Sequence, residues 1–102
     1  MAWDIRTDAA QKTLWIAGEL TIFSVLDIRG RLLEALSAAD DIEVDLGEVT
    51  EIDTAGLQLM LLAKRKAGKT VRFRHHSDEV MRLVDLANVG HLLGDPLLIK
   101  AN

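Results

Sequence analysis

The chain has 102 residues, 49% of them hydrophobic, a net charge of −4 and no cysteine. That length fits a single domain 1–102 with one core, since domains commonly run to about 100–150 residues, and the absence of thiols excludes a disulfide framework or thiolate metal site. Sixteen acidic against 12 basic residues argue against nucleic acid as a partner, because tracking phosphates needs a basic excess.

Met1-Ala2-Trp3-Asp4-Ile5-Arg6 has no apolar signal core. No stretch approaches the roughly 20 apolar residues of a membrane span. The expected address is the cytoplasm, with no membrane insertion. In chain order, Trp3-Ile5-Thr7 alternates with Asp4-Arg6-Asp8, the period of a strand with one wet face. Thr13 to Leu20 reads as a second strand with Leu14, Ile16, Gly18 and Leu20 on one side. The short link Ala9-Ala10-Gln11-Lys12 lets the two pair as an antiparallel hairpin.

Ser24 followed by Asp27 matches a capping-box pattern. Val25, Ile28, Leu32 and Leu36, joined by Leu33, recur on one helical stripe that should end near Ala38. Phe23 and Leu26 lie off that stripe. Ile42-Val44-Leu46 alternates with Glu43 and Asp45 as a third strand, followed by a tight acidic connection. A second helix is expected over Ala55–Ala67, with Gly68 at its C′ position. Val71 and Phe73 alternate with Arg72 and Arg74 in a fourth strand.

Ser77 caps a third helix, with Asp78 and Glu79 in its first turn, where negative charge is favoured. Its buried stripe is Val80, Leu83, Val84 and Ala87, and Gly90 ends it. Leu97-Leu98-Ile99 adds a short last strand. Strands alternating with helices imply crossover connections and a partly parallel sheet. A sheet covered on both faces would read as continuous apolar runs, so helices should pack mainly on one face. The expected class is α/β, a small mixed sheet of four to five strands.

Chemistry concentrates in Ile52-Asp53-Thr54-Ala55-Gly56-Leu57, a strand end passing into a helix. A hydroxyl sits there beside a carboxylate at a helix N-terminus. As structure alone, Thr54 is an N-cap and Gly56 permits close helix–strand packing. As function, Thr54 is a hydroxyl that a phosphate would switch. The following Leu57-Gln58-Leu59-Met60-Leu61-Leu62 is apolar almost all round, so it is either wedged inside the domain or exposes a patch beside Thr54.

Val44-Asp45-Leu46, Val49 and Ile52-Asp53-Thr54-Ala55-Gly56-Leu57 resemble the central motif of STAS domains, the anti-sigma factor antagonist family. Gly18-Glu19-Leu20 and the order of elements extend the resemblance over nearly the whole chain. The resemblance implies a small mixed sheet with helices on one side and a non-enzymatic bacterial regulator. It also implies a partner that is an anti-sigma factor or a serine/threonine kinase-like signalling protein, released when the hydroxyl after the Asp is phosphorylated. Carried over by position, the phosphoacceptor is Thr54. The partner surface is then Asp53, Thr54, Ala55, Gly56, Leu57, Gln58, Met60 and Leu61, with Phe23 from the first helix.

Many phosphorylated members carry serine at the acceptor and a second hydroxyl beside it, where this chain has Thr54 and Ala55. The Asp-Thr-Ala-Gly form also resembles STAS subunits of lipid-transport ABC assemblies and chemotaxis-associated STAS proteins. In those, the same surface would hold the ABC ATPase or another partner without phosphorylation.

Other chemistry is sparse. His75 and His76 are adjacent in the expected fourth strand, so their side chains diverge, and His91 stands alone. These point to no metal. Asp53 at a strand end resembles a receiver phosphoacceptor, but Asp4 and Asp8 do not supply the acidic pair such a fold needs. No phosphate loop and no nucleophile–base pair is visible. Neither an enzyme nor a cofactor is expected, and a small-ligand or nucleotide module is a third, weaker reading.

Overall fold

Period-two alternation builds the sheet of the computed structural model, which describes residues 3–66 and 68–87. Strand β1 (Trp3–Asp8) pairs antiparallel with β2 (Thr13–Leu20), as the short hairpin link predicts. Helix α1 (Val25–Ala38) crosses over to β3 (Asp41–Ile52), which lies parallel to β2. Helix α2 (Thr54–Lys64) then leads to β4 (Thr70–Arg74), parallel to β3, and α3 (Asp78–Ala87) follows. The strand order is β1-β2-β3-β4, a mixed four-stranded sheet.

One face of that sheet carries the core. Ile5, Leu14, Ile16, Leu20, Val44, Leu46 and Phe73 cluster with Ile28, Leu32 and Leu36 of α1, Leu57 and Met60 of α2, and Val80 and Val84 of α3. Each large side chain so buried contributes roughly 1.5–3 kcal/mol. The helical stripe expected for α3 is narrower than its spacing suggests, because Leu83 is half-buried and Ala87 is exposed. The opposite sheet face is polar and laced with ion pairs, Arg74–Glu43 at 3.0 Å and Arg72–Asp41 at 2.9 Å among them. There Arg6 also lies 5.7 Å from the centroid of the Trp15 ring.

The acidic connection expected after Leu46 is instead strand. β3 runs on to Ile52, and its register against β2 shifts twice, between the partners of Trp15 and Ala17 and between those of Gly18 and Glu19. Each shift is a bulge that absorbs one extra residue. Gly47 and Glu48, then Thr50 and Glu51, are thereby left exposed while Val49 still reaches the core. The bulges carry the strand onward and deliver Asp53 beside the end of β2.

Helix α2 ends at Lys64, before the expected Ala67, with Arg65 as its C-cap. Gly68 does adopt a left-handed φ of 74°, but beyond the helix end and not as its C′ residue. His75 lies past β4 in a bend, with a left-handed φ of 55°. The expected stop at Gly90, His91 and the strand over Leu97-Leu98-Ile99 lie outside the described residues.

Candidate functional site

The site is assembled where β2 and β3 end and α1 and α2 begin. Asp53 leaves β3 in an extended conformation (φ −124°, ψ −174°), which turns its side chain onto the first turn of α2. Its Oδ1 accepts from the Gly56 N–H at 3.1 Å, and its carbonyl accepts from the Leu57 N–H at 3.0 Å. The first N–H groups of a helix have no intrahelical acceptor, and a short acidic side chain at the cap supplies one. The N-cap is therefore Asp53. Thr54, read from sequence as a possible cap, is instead the first helical residue, and it is exposed.

The second oxygen of Asp53 does different work. Oδ2 accepts from the Ile22 N–H at 3.0 Å, tying the start of α2 to the turn between β2 and α1. Ser24 fixes the same turn from within. Its buried hydroxyl donates to the Glu19 carbonyl at 2.8 Å, with the Thr21 carbonyl at 3.2 Å, and accepts from the Thr21 N–H at 3.0 Å. The capping box expected of Ser24 and Asp27 does not form, because the hydroxyl points back to the strand end. Thr21 Oγ1 accepts from the Phe23 N–H at 3.3 Å.

A turn held this tightly by its own polar groups has no freedom to fold its apolar side chains inward. Ile22, Phe23 and Leu26 are 62%, 86% and 78% exposed. Their neighbour across the turn is the start of α2, whose outward face carries Thr54, Gln58 and Leu62, with Ala55 and Leu61 half-buried. Gly56 sets how near the two elements lie. A Cβ there would collide with the Leu20 carbonyl oxygen and come within 2.9 Å of Leu20 Cγ. Only glycine lets α2 start this close to β2.

The sequence-expected surface therefore divides. Thr54, Gln58 and Phe23 are available to a partner, and Asp53, Ala55 and Leu61 are partly so. Gly56, Leu57 and Met60 are buried against the sheet and shape the helix without reaching its outer face. Ile22 and Leu62 belong to the exposed patch and were missed. Ile22 could have been found from its position, since an Ile-Phe pair inside a Thr-Ser turn has no strand or helix face to bury both. Leu62 could not, because α2 is apolar nearly all round.

Away from this end, His75 Nδ1 lies 2.7 Å from Asp45 Oδ2, while Asp45 Oδ1 accepts from the Gly47 N–H at 2.8 Å. An apolar hollow of about 150 Å³, lined by Leu14, Ala35, Ala38 and Ile42 among others, lies near the β1–β2 hairpin, at the far end of β2 from Thr54. No group of three or more His, Asp or Glu is placed to hold a metal among the described residues. None of the described helices is long and apolar enough to cross a membrane.

A mixed sheet with helices on its apolar face, and a carboxylate-capped helix start beside an exposed apolar turn, define a small α/β domain with its most distinctive surface at the β3–α2 junction. Residues 3–98 match the family model described as "Mlab, STAS domain", and the chain belongs to the STAS domain family. Among solved structures, that of the anti-sigma factor antagonist SpoIIAA in its unphosphorylated form aligns with a TM-score of 0.66 at 19% identity, covering 94% of this chain and 89% of that one. At that identity the likeness establishes the shared fold. No curated protein sequence matches the chain significantly.

Proposed function

We propose that this chain is a non-enzymatic docking module of a bacterial signalling system. It binds an anti-sigma factor or a kinase-like signalling protein through the outer face at the start of α2 and the Ile22–Phe23–Leu26 turn, and phosphorylation of Thr54 switches it. The observation that carries the reading is the placement of Thr54. An exposed hydroxyl, relieved of capping by Asp53, stands beside three large apolar side chains in water. Exposed apolar patches of this kind mark interaction sites. The fold-mate SpoIIAA, an anti-sigma factor antagonist whose structure is of its unphosphorylated form, supports the same reading.

Phosphate chemistry favours a switch of binding over a switch of folding. A phosphate on Thr54 adds about −1.5 to −2 charges. The helix N-terminus favours that charge by roughly 0.3–1 kcal/mol, while Asp53 opposes it by roughly 1–3 kcal/mol per charge pair at separations near 6 Å and intermediate screening. The fold should survive. At a docked interface an unpaired dianion is far more costly, on the order of several kcal/mol.

A second reading keeps the surface and drops the switch. The Asp53-Thr54-Ala55-Gly56 form of the turn, with a single hydroxyl, favours an accessory subunit that holds the ATPase of an ABC-type lipid transporter, or a chemotaxis-associated protein. Wild-type and Thr54→Asp baits, offered extract of the native cells, separate the two. The switch requires a signalling protein retained by wild type and lost with Asp, while urea unfolding shows both baits still folded. An ATPase held equally by both baits establishes the second reading instead.

A further inference from the structure

We infer that the chain self-associates through the open edge of β1. Two copies join their four-stranded sheets antiparallel at that edge, and Trp3 of each is seated on the other. The inference is independent of the Thr54 end and begins with backbone direction. The Lys12 carbonyl accepts from the Glu43 N–H of β3 at 2.9 Å. The carbonyl and N–H of one trans peptide point opposite ways, so the Thr13 N–H turns to β1. Thr13, Trp15 and Ala17 are register partners of Asp8, Arg6 and Asp4, whose backbone groups therefore turn to β2. Trp3, Ile5 and Thr7 are left with N–H and C=O pointing out of the sheet.

The two edges of the sheet differ. On β4 the Thr70 N–H is given to the Asp40 carbonyl, so Val71 faces outward, and its carbonyl accepts from Lys64 Nζ at 2.6 Å. On β1 no bond among the described residues covers the outward backbone groups. The strand also lacks a proline, a lysine or a bulge to blunt it. Such an edge is a template for another strand.

In a two-fold β1–β1 contact, outward residues must face outward residues. Two such registers overlap five residues of Trp3–Asp8, pairing either 4–8 or 3–7 with itself in reverse. The 4–8 register sets Asp4 against Asp8 twice and Arg6 against Arg6, and like charges directly opposite are destabilising. The 3–7 register sets Ile5 against Ile5, Asp4 against Arg6 and Trp3 against Thr7. Charge therefore selects 3–7. Arg6 gives Glu48 a bond from one terminal nitrogen, which leaves other donors of its guanidinium for Asp4 of the second copy.

The same register brings a ring to a hollow. Trp3 is half-buried and shares the helix-bearing face with Ile5 and Thr7. Thr7, which it meets across the contact, lines the apolar hollow of about 150 Å³ together with Leu14, Ala35 and Ala38. The hollow exists because α1 turns alanines toward the hairpin, and a cavity of this size accepts a ring such as benzene. Arg31 donates to the Thr7 hydroxyl at 3.3 Å, so its guanidinium stands beside the seat of the indole. Two-fold pairing fills both seats at once. The two Thr54 ends then lie at opposite ends of the joined sheet.

Sedimentation velocity of the full chain over a concentration series tests the contact. One strand and one ring per copy make an interface below standard size, so a dimer dissociating near about 10–100 µM is expected. Asp4→Arg and Arg6→Glu each set like charges opposite one another twice, and each chain alone should stay monomeric at about 100 µM. Mixed in equal amounts they should dimerise as wild type does, because both cross-strand pairs are then opposite in sign. Thr7→Pro removes an outward donor at an exposed edge position, where proline is tolerated, and Ala35→Leu fills the hollow. Each should weaken the dimer at least about tenfold, with urea unfolding showing the chain still folded. A wild-type chain monomeric at about 1 mM, a mixture that stays monomeric, or full dimerisation of Thr7→Pro overturns the inference. So does a tighter dimer with Asp4→Arg, which would mean the 4–8 register, or undiminished association of Ala35→Leu, which would leave Trp3 without its seat.

Discussion

The two ends of this sheet use polar groups in opposite ways. Near β4 and the open face, carboxylates pair with Arg, Lys and His side chains, largely at the surface. At the β2–α1 and β3–α2 junctions, carboxylate and hydroxyl bond instead to backbone: Asp53 to the N–H groups of Ile22 and Gly56, and Ser24 to the Glu19 carbonyl and the Thr21 N–H. Exposed ion pairs contribute little, typically about 0–1 kcal/mol. Charged-group bonds to backbone contribute roughly 1.5–3 kcal/mol and fix geometry as well. Rigidity is therefore concentrated where apolar side chains are held out in water, the arrangement a preorganised binding surface requires.

The sharpest way to break that contrast is Gly56→Ala. Its methyl would meet the backbone carbonyl of Leu20, which cannot swing aside as a side-chain tip can. Overpacking usually costs about 1–3 kcal/mol, and this contact should reach the top of that range, near 3 kcal/mol. Because the cost comes from moving α2 off β2, the amides of 20–24 should shift in the ¹⁵N spectrum as much as those of α2. An alanine tolerated within about 0.5 kcal/mol would mean the junction is looser than the packing of Leu20, Ile52 and Gly56 implies.

Asp53 comes next. Asp53→Ala removes the cap, worth roughly 0.5–2 kcal/mol, and also the bond to the Ile22 N–H, so a combined loss of about 2–3 kcal/mol is expected by urea unfolding. Asp53→Asn keeps an acceptor for one of the two N–H groups and should recover about half of it. The distinguishing readout is local: with alanine, hydrogen exchange at Ile22 and Gly56 should accelerate together, because one carboxylate protects both. Acceleration at Gly56 alone would show that the α1 turn is held by Ser24 without help.

The division between the two ends also explains what could be read from sequence. Ile42-Val44-Leu46 and the Ile28-Leu32-Leu36 stripe are periodic, and periodicity reports a buried face directly. Asp53, Thr54 and Gly56 were legible as a helix start because capping chemistry is local. The bulges at 47–51 were not: Gly-Glu and Thr-Glu have the composition of a loop, and only pairing with β2 makes them strand. Nor was the second role of Asp53, whose partner Ile22 lies 31 residues away in the chain. Which side of α2 faces water was equally hidden, since Leu57, Leu59 and Leu62 look alike until the sheet and α1 are placed around them.

The smallest expected effect lies at the paired end and depends on pH. The Asp40 carboxyl is held below its usual range by the hydrogen bond from Lys69 at 2.8 Å, reinforced by the charge of the same ammonium and of Lys12. A carboxyl whose pKa is lowered by folding contributes stability that is complete above the unfolded value, near 3.8, and is lost as pH falls through the folded value. Asp40→Asn should therefore flatten the acid limb of the stability curve slightly below pH about 4 and leave neutral stability almost unchanged, because the pair is exposed to water and salt. The Asp40 carbonyl also accepts from the Thr70 N–H at 2.7 Å. That backbone bond survives the substitution and keeps the start of β4 in register. If Asp40→Asn instead loosened β4 at neutral pH, side-chain pairs at this end would be fixing backbone after all, and the contrast with the Thr54 end would fail.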